Sequence, residues 1–86
     1  MHEKHRERLR ERFAKVGLSG WADHEILELL LTYAIARRDT NPTAHLLMER
    51  FGSLSNIFAA GVDELCSVEG IGPVAATLLH FQGELL

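Results

Sequence analysis

The sequence has very little cysteine and no long apolar run. The single cysteine, Cys66, cannot form an internal disulfide, and the charged start of the chain lacks the apolar stretch of a signal peptide. The most apolar window, residues 26–36, is far shorter than the roughly 20 residues that a membrane helix needs and contains Glu28 and Thr32. These absences exclude a disulfide scaffold and a membrane span, and we expect a cytoplasmic protein with no membrane partner.

Lysine and arginine are missing from the second part of the chain. All nine lie in residues 1–50, whereas residues 51–86 carry four carboxylates and no lysine or arginine. Residues 1–16 alone hold six basic and three acidic side chains. Because the two parts differ in sign, the overall net charge of −3 does not by itself exclude a polyanion as partner.

No segment alternates polar and apolar residues with a period of two, so strands are not predicted and the fold class is all-α. Helical periodicity with start and stop signals predicts about six short helices in a compact bundle. They are expected at residues 2–16, 23–36, 41–51, 54–60, 63–66 and 73–86. With 86 residues, 47% of them hydrophobic, the chain can build one core and therefore one domain.

Two of these helices differ sharply in their apolar surface. The first has a narrow stripe at Leu9, Phe13 and Val16, which predicts an outer helix with a solvated, charged face. The second carries polar residues only at Glu28 and Thr32 after position 26, which predicts the central helix of the bundle. The polar residues expected as N-caps are Asp23, Asn41, Ser53 and Asp63.

A Gly-Ile-Gly segment precedes the last helix. Gly70 and Gly72 can adopt positive φ without a Cβ penalty and so permit a very tight turn, with Ile71 between them anchored in the core. The amides of the turn and of the next helix, including Val74, would then form a site for a phosphate oxygen, helped by the helix dipole. The alternative is a tight connection that only packs, and the adjacent Glu69 favours that alternative.

These residues resemble the helix-hairpin-helix motif of DNA-binding proteins, whose hallmark is a Gly-apolar-Gly turn followed by an alanine, here Ala75. The resemblance implies binding to the DNA backbone without sequence preference, through main-chain amides and nearby basic side chains. Residues 41–48 can also be laid on residues 72–79 at a constant offset of 31, with a proline, an alanine and a leucine coinciding. This internal similarity predicts a tandem pair of hairpins.

The tandem interpretation divides the single domain, residues 1–86, into four parts. They are a basic outer helix (1–17), a degenerate first hairpin (23–51), a connecting helix (54–60) and a helix-hairpin-helix (63–86). Arg37 and Arg38 then occupy the first turn and supply the cations that the glycine turn lacks. The alternative for these two arginines is a solvated loop or an ion pair with Asp39.

The wider chain resembles the N-terminal domain of RadC-type (UPF0758) proteins. The segments that carry the resemblance, in this order, are residues 6–9, 23–31, 50–54, 64–65 and 68–72. The resemblance implies a link to DNA repair and a following JAB/MPN domain similar to zinc-dependent isopeptidases. The five histidines lack metal-ligand spacing and no nucleophile-base arrangement appears, so we predict no metal, no cofactor and no enzyme here, in a chain cut from a longer protein.

Two functions of different classes follow from these observations. The first is an accessory domain of a DNA repair protein that binds DNA weakly through phosphate contacts at Gly70, Ile71, Gly72, Val74, Arg37 and Arg38. The second is a protein-interaction or regulatory domain that positions a downstream JAB/MPN metal-dependent hydrolase. The acidic second half of the chain favours the second function.

Overall fold

The computed structural model describes residues 2–86, in which there are six α-helices and no strand. The helices are α1 (His2–Val16), α2 (Asp23–Leu31), α3 (Asn41–Phe51), α4 (Leu54–Ala59), α5 (Val62–Cys66) and α6 (Pro73–Leu85). The predicted all-α class and the six helices are confirmed. Met1, which the sequence places in the first helical segment, lies outside the described residues. None of the described helices is both long and apolar enough to cross a membrane.

The helix starts differ from the predicted caps at three of four positions. Ser53 is the N-cap of α4, as predicted, and its Oγ accepts the Asn56 N–H at 3.1 Å. The other N-caps are Ala22 for α2, Thr40 for α3 and Gly61 for α5. At α2 the Glu25 carboxylate accepts the Ala22 N–H at 2.9 Å, while the Glu25 N–H, which a polar cap side chain would have taken, bonds to the Ala22 carbonyl at 3.0 Å.

Helix α2 is shorter than its apolar pattern predicts. It ends at Leu31, and the chain continues through turns in which the Ile35 N–H still bonds to the Leu31 carbonyl at 2.8 Å. The carbonyl of Thr32 accepts a hydrogen bond from the Arg6 guanidinium at 3.0 Å, and that of Ile35 accepts another. The Arg6 side chain of α1 thus binds carbonyls that a continuing helix would have bonded within itself. The helix therefore ends before its apolar pattern does.

The main hydrophobic core is formed by side chains of the five helices from α2 to α6 and contains no residue of α1. Its fully buried side chains are Leu27, Leu31, Ala44, Leu47, Ile57, Leu65, Ala76 and Leu79. Helix α1 packs instead on a smaller cluster of Leu9, Trp21 and Leu29. The long α6 crosses α4 at Gly83, where the two backbones lie so close that a Cβ atom would meet the Phe58 carbonyl.

Glu28, one of the two polar residues of the apolar second helix, is buried. Its residue is 3% exposed, and its carboxylate lies 3.0 Å from Asn41 Nδ2 and 3.1 Å from His5 Nε2. The main-chain carbonyl of Glu28 accepts the Thr40 hydroxyl at 3.0 Å. One buried carboxylate therefore ties α1, α2 and the start of α3 together, because a buried charge must find polar partners.

The start of α2 predicts a pH effect on stability. The Ala22 N–H, followed by the Arg12 guanidinium at 2.9 Å, holds the pKa of Glu25 below its ordinary value of 4.5. A lowered pKa means that the folded state gains stability above pH 4.5 and loses it as the pH falls through the lowered value. We expect Glu25→Gln, which keeps the acceptor for Ala22, to lower the free energy of unfolding by about 1 kcal/mol or less at pH 6.

Urea unfolding of both proteins between pH 6 and pH 3 checks this prediction. The difference between them is expected to shrink as the pH falls, because the ionised carboxylate disappears from the wild-type protein. A difference that stays constant over this range would contradict the assigned role of the Glu25 charge.

Candidate nucleic-acid interface

The turn between α5 and α6 has the tight geometry that its glycines predict, with one exception. Gly70 has φ +93°, in the left-handed region that favours glycine. Ile71 is 5% exposed and packs in the main core, and its N–H donates to the Val68 carbonyl at 3.0 Å. The predicted positive φ of Gly72 is wrong: it has φ −96° and ψ −175°. One left-handed residue is enough to reverse the chain here, and Gly72 serves as the extended N-cap of α6.

Several amides of this turn have no protein acceptor. Within residues 2–86, no hydrogen bond is made by the N–H groups of Gly70, Gly72, Val74 and Ala75, whereas the Ala76 N–H bonds to the Gly72 carbonyl at 2.9 Å. Gly72 and Val74 are exposed residues. The amide of Ile71 is occupied, so of the predicted contact residues it can contribute only the anchoring side chain. Free N–H groups at a helix start form a site suited to an anion.

The turn between α2 and α3 carries the two predicted arginines. Both are exposed, and Arg37 has φ +64°, a backbone conformation that residues other than glycine rarely adopt. Among the described residues neither arginine forms a salt bridge with Asp39, whose Oδ1 accepts the Asn41 N–H at 3.0 Å instead. The ion pair considered from the sequence is therefore not formed, and the charges of the arginines face solvent.

The two turns lie side by side. Arg38 Nη2 donates a hydrogen bond to the Gly70 carbonyl oxygen at 2.9 Å. A Cβ atom on Gly70 would lie 2.9 Å from Thr43 Oγ1 at the start of α3, so the absence of a side chain at Gly70 lets the two hairpins approach. This places one guanidinium at the Gly70 carbonyl, in the turn that also carries the free amides, with the exposed Glu69 one residue before Gly70.

The two hairpins also share local features. A residue of positive φ lies shortly before each N-cap, Arg37 three residues before Thr40 and Gly70 two residues before Gly72, so the offset of 31 does not pair the two. Each following helix has a proline at its start. Thr40 stands at the position that the offset of 31 pairs with Ile71, and it is also buried. The first turn is anchored by a hydroxyl that bonds to a carbonyl, and the second by an apolar side chain.

Sequence reasoning missed two residues that shape this surface, Thr43 and Arg6. Thr43 is buried against Gly70, and nothing in its sequence context distinguishes it from a helix-surface threonine. Arg6 is 6% exposed, and its guanidinium lies among main-chain carbonyls of the first turn. Arg6 precedes Leu9 by three residues and so continues the narrow apolar stripe of α1, which is a signal for its burial.

A polar cleft of about 550 Å³ lies beside the start of α3 and is lined by His5, Arg8, His24, Glu25, Glu28, Asp39 and Asn41. The rings of His24 and His45 stack at 4.4 Å between centroids. In the part of the chain that the structure describes, no three His, Cys, Asp or Glu side chains are arranged to hold a metal ion. The Glu28 carboxylate at the base of the cleft is already paired, so the cleft is a structural polar network.

These observations define a small all-helical domain in which two helical hairpins bring an arginine turn and a glycine turn together. Residues 2–77 match the protein family described as UPF0758 N-terminal. The chain therefore belongs to the UPF0758 family and corresponds to its N-terminal domain, which confirms the RadC-type family predicted from the sequence. No solved structure matches the chain.

Curated relatives support this assignment. The chain is similar to UPF0758 protein FN0909 of Fusobacterium nucleatum, with 49% identity over 84 residues that cover 98% of this chain and 36% of the relative. It is also similar to UPF0758 protein SPO0054 of Ruegeria pomeroyi, with 42% identity over 73 residues that cover 85% of this chain and 33% of the relative. The chain thus spans about a third of the length of these curated relatives.

Proposed function

We propose that the domain binds the DNA backbone without sequence preference, as an accessory module of a longer DNA repair protein. Its two turns act as a tandem helix-hairpin-helix pair. The free amides of Gly72 and Val74 donate to phosphate oxygens, while Arg37 and Arg38 provide the positive charge. The chain itself supplies binding and no catalysis.

The observation that carries the proposal is the hydrogen bond between Arg38 Nη2 and the Gly70 carbonyl, at 2.9 Å. The glycine turn has no cation of its own, and phosphate binding gains most from charged donors. The bond uses one of the five N–H donors of the guanidinium, which leaves the others for a phosphate. The second turn therefore combines a neighbouring cation with unpaired amides, and both kinds of group bind the phosphates of a DNA strand.

The same residues predict weak binding. Pro73 has no N–H at the first position of α6, and the Glu69 carboxylate repels a phosphate near Gly70. Because the two turns carry only two cationic side chains, Arg37 and Arg38, they can neutralise only a few phosphates. We therefore expect a log-log slope of affinity against salt on the order of −2 to −4 for a short duplex.

Titration of a 12-base-pair duplex at several salt concentrations tests the proposal. We expect the double substitution Arg37→Ala with Arg38→Ala to flatten the salt slope by about 0.9 for each phosphate that the variant no longer neutralises. Arg38→Lys, which keeps the charge, is expected to retain most of the slope. Arg10→Ala, at a partly exposed position of α1 where the guanidinium lies 3.5 Å from Glu3, is the matched control and leaves the slope unchanged. A wild-type slope near zero would contradict the proposal.

A second variant separates the amides from the arginines. Gly72 is exposed, has a negative φ, and a Cβ atom there would meet nothing within 4 Å. Gly72→Val therefore keeps the fold but places a branched side chain over the free amides. We expect weaker binding with unchanged circular dichroism, and amide shifts on DNA addition centred on residues 70–74 and 37–41 in the wild-type protein. Full binding by this variant would remove the glycine turn from the site.

An apolar groove favours the second candidate function, a protein-interaction domain. The groove has a volume of about 450 Å³, and its lining includes Phe13, Leu18, Tyr33, Phe58 and Leu85. Four of these are exposed large apolar side chains, which on a soluble domain often mark a contact surface. The proposed occupant of the groove is a downstream JAB/MPN hydrolase domain, in the part of the longer protein that this chain does not cover. DNA binding absent at low salt favours this candidate over the first.

A further inference from the structure

The side chain of Arg6 lies inside the protein and binds only main-chain oxygens. Its residue is 6% exposed, and Nη1 donates to the Thr32 carbonyl at 3.0 Å. Nη2 donates to the carbonyls of Ile35 and Arg38, both at 2.6 Å. No carboxylate among the described residues forms a salt bridge with it. One guanidinium from α1 therefore gathers three carbonyls that follow the end of α2.

These three carbonyls lie along the segment that leads from the end of α2 into the arginine turn. The end of a helix exposes unpaired carbonyls and the negative end of the dipole, so a cation is favoured there. Between the second and third acceptors lies Arg37, whose φ of +64° is strained for a residue with a side chain. Such a conformation persists only where the surroundings hold it. The bond from Arg6 to the Arg38 carbonyl is a contact that closes this loop.

Arg38 is consequently held at both ends. Its main-chain carbonyl accepts from Arg6, and its guanidinium donates to the Gly70 carbonyl. The first bond sets where the main chain of Arg38 lies, and the second sets where its charge lies relative to the glycine turn. Without the first bond, the side chain must find Gly70 from a loop that is free to move.

We infer that Arg6 is a positioning residue for DNA binding: it holds the 32–38 loop so that Arg38 reaches the Gly70 turn. The inference rests on the proposed function. Arg6 does not contact DNA in this scheme, because its side chain is buried and three of its five donors bond to protein carbonyls. It acts through Arg38, and α1 thereby contributes to an interface formed by the other helices.

Arg6→Lys tests the inference, because lysine keeps the charge but lacks the planar fork that reaches three carbonyls. The first measurement needs no DNA. We expect exchange of the hydrogen-bonded amides of residues 33–35 to accelerate about tenfold while the core amides of Leu47 and Leu79 keep their protection. Arg10→Lys, at a partly exposed position of the same helix that pairs with Glu3 rather than with the loop, is the control and leaves exchange unchanged. Unaltered exchange of the loop in Arg6→Lys would overturn the inference.

The second measurement is a double-mutant cycle on duplex affinity and its salt slope. Arg6→Lys is expected to weaken binding several-fold and to reduce the slope by up to about 0.9, the share of one phosphate contact. On the Arg38→Ala background the same change is expected to have no further effect, because the residue through which Arg6 acts is gone. Equal effects on both backgrounds would show that Arg6 acts otherwise, for example by general destabilisation.

The two proposals fail in different ways. If the wild-type domain shows no salt-dependent binding, the proposed function is wrong and the binding role of Arg6 is wrong with it, whatever the exchange data show. If the wild-type domain binds and Arg6→Lys binds with the same slope, only the positioning role is overturned.

Discussion

Gly83→Ala is expected to destabilise the domain by about 2–4 kcal/mol, or to prevent folding. In an isolated helix the same change stabilises by about 1 kcal/mol, because alanine is the better helix former. Here an added Cβ atom would overlap the Phe58 carbonyl oxygen and lie 2.8 Å from the carbonyl carbon. The obstacle is main chain rather than a side chain that can rotate away, so α6 and α4 must separate.

Thermal unfolding followed by circular dichroism measures this effect, and we expect a fall in Tm of at least about 10 °C. Glu84→Ala is the control, since Glu84 is the next residue of α6 and its side chain is 74% exposed. It should stay within about 0.5 kcal/mol of the wild-type protein. A Gly83→Ala protein as stable as the wild type would mean that α4 and α6 do not cross this closely.

Ile71→Asp is expected to remove at least about 4 kcal/mol of stability, a large part of what a domain of this size has. Ile71 is 5% exposed and packs in the main core with Ala75 and Leu79. An aspartate there buries a carboxylate among apolar side chains with no polar partner. Position 71 is held between α5 and α6 by the bond from its own N–H to the Val68 carbonyl at 3.0 Å, so releasing the carboxylate to water would break the turn.

Urea unfolding separates this result from a change at the surface. Ile71→Val keeps the anchor with one methylene fewer and should cost only about 0.5–1.5 kcal/mol. The Ile71→Asp protein is expected to show no cooperative unfolding transition, or one at a much lower urea concentration than the wild-type protein. If both proteins unfold at similar urea concentrations, the side chain at position 71 does not anchor the turn, and the proposed geometry of the second hairpin is wrong with it.

The helices themselves were predictable because their signals are local. Ser53 caps α4, Pro42 and Pro73 stand in the first turns of α3 and α6, and Gly52 ends α3 with φ +86°. Each of these preferences acts within a few residues. The errors also have a local cause: at Ala22 and Gly61 the glutamate three residues later accepts the N–H of the cap residue, which supports the helix start although the cap has no polar side chain.

The candidate site was predictable only in part. Gly70, Ile71 and the two arginines stand out in the sequence, since a Gly-apolar-Gly turn and a break in an apolar run are visible without a structure. That Arg38 reaches the Gly70 carbonyl is not visible, because 32 residues separate them. The same holds for Thr43 against Gly70 and for the burial of Glu28, whose partners come from α1 and α3.

The amino-acid sequence by itself determined the all-α class, the number of helices and the tight turn at Gly70, because periodicity, glycine and proline act over short stretches of chain. Tertiary structure alone decided where α2 ends, which polar residues are buried, how closely α6 can cross α4, and that the arginine turn lies against the glycine turn. These features depend on groups that are distant in sequence and meet only when the helices pack. Their partners, and so their energies, do not exist before the chain has folded.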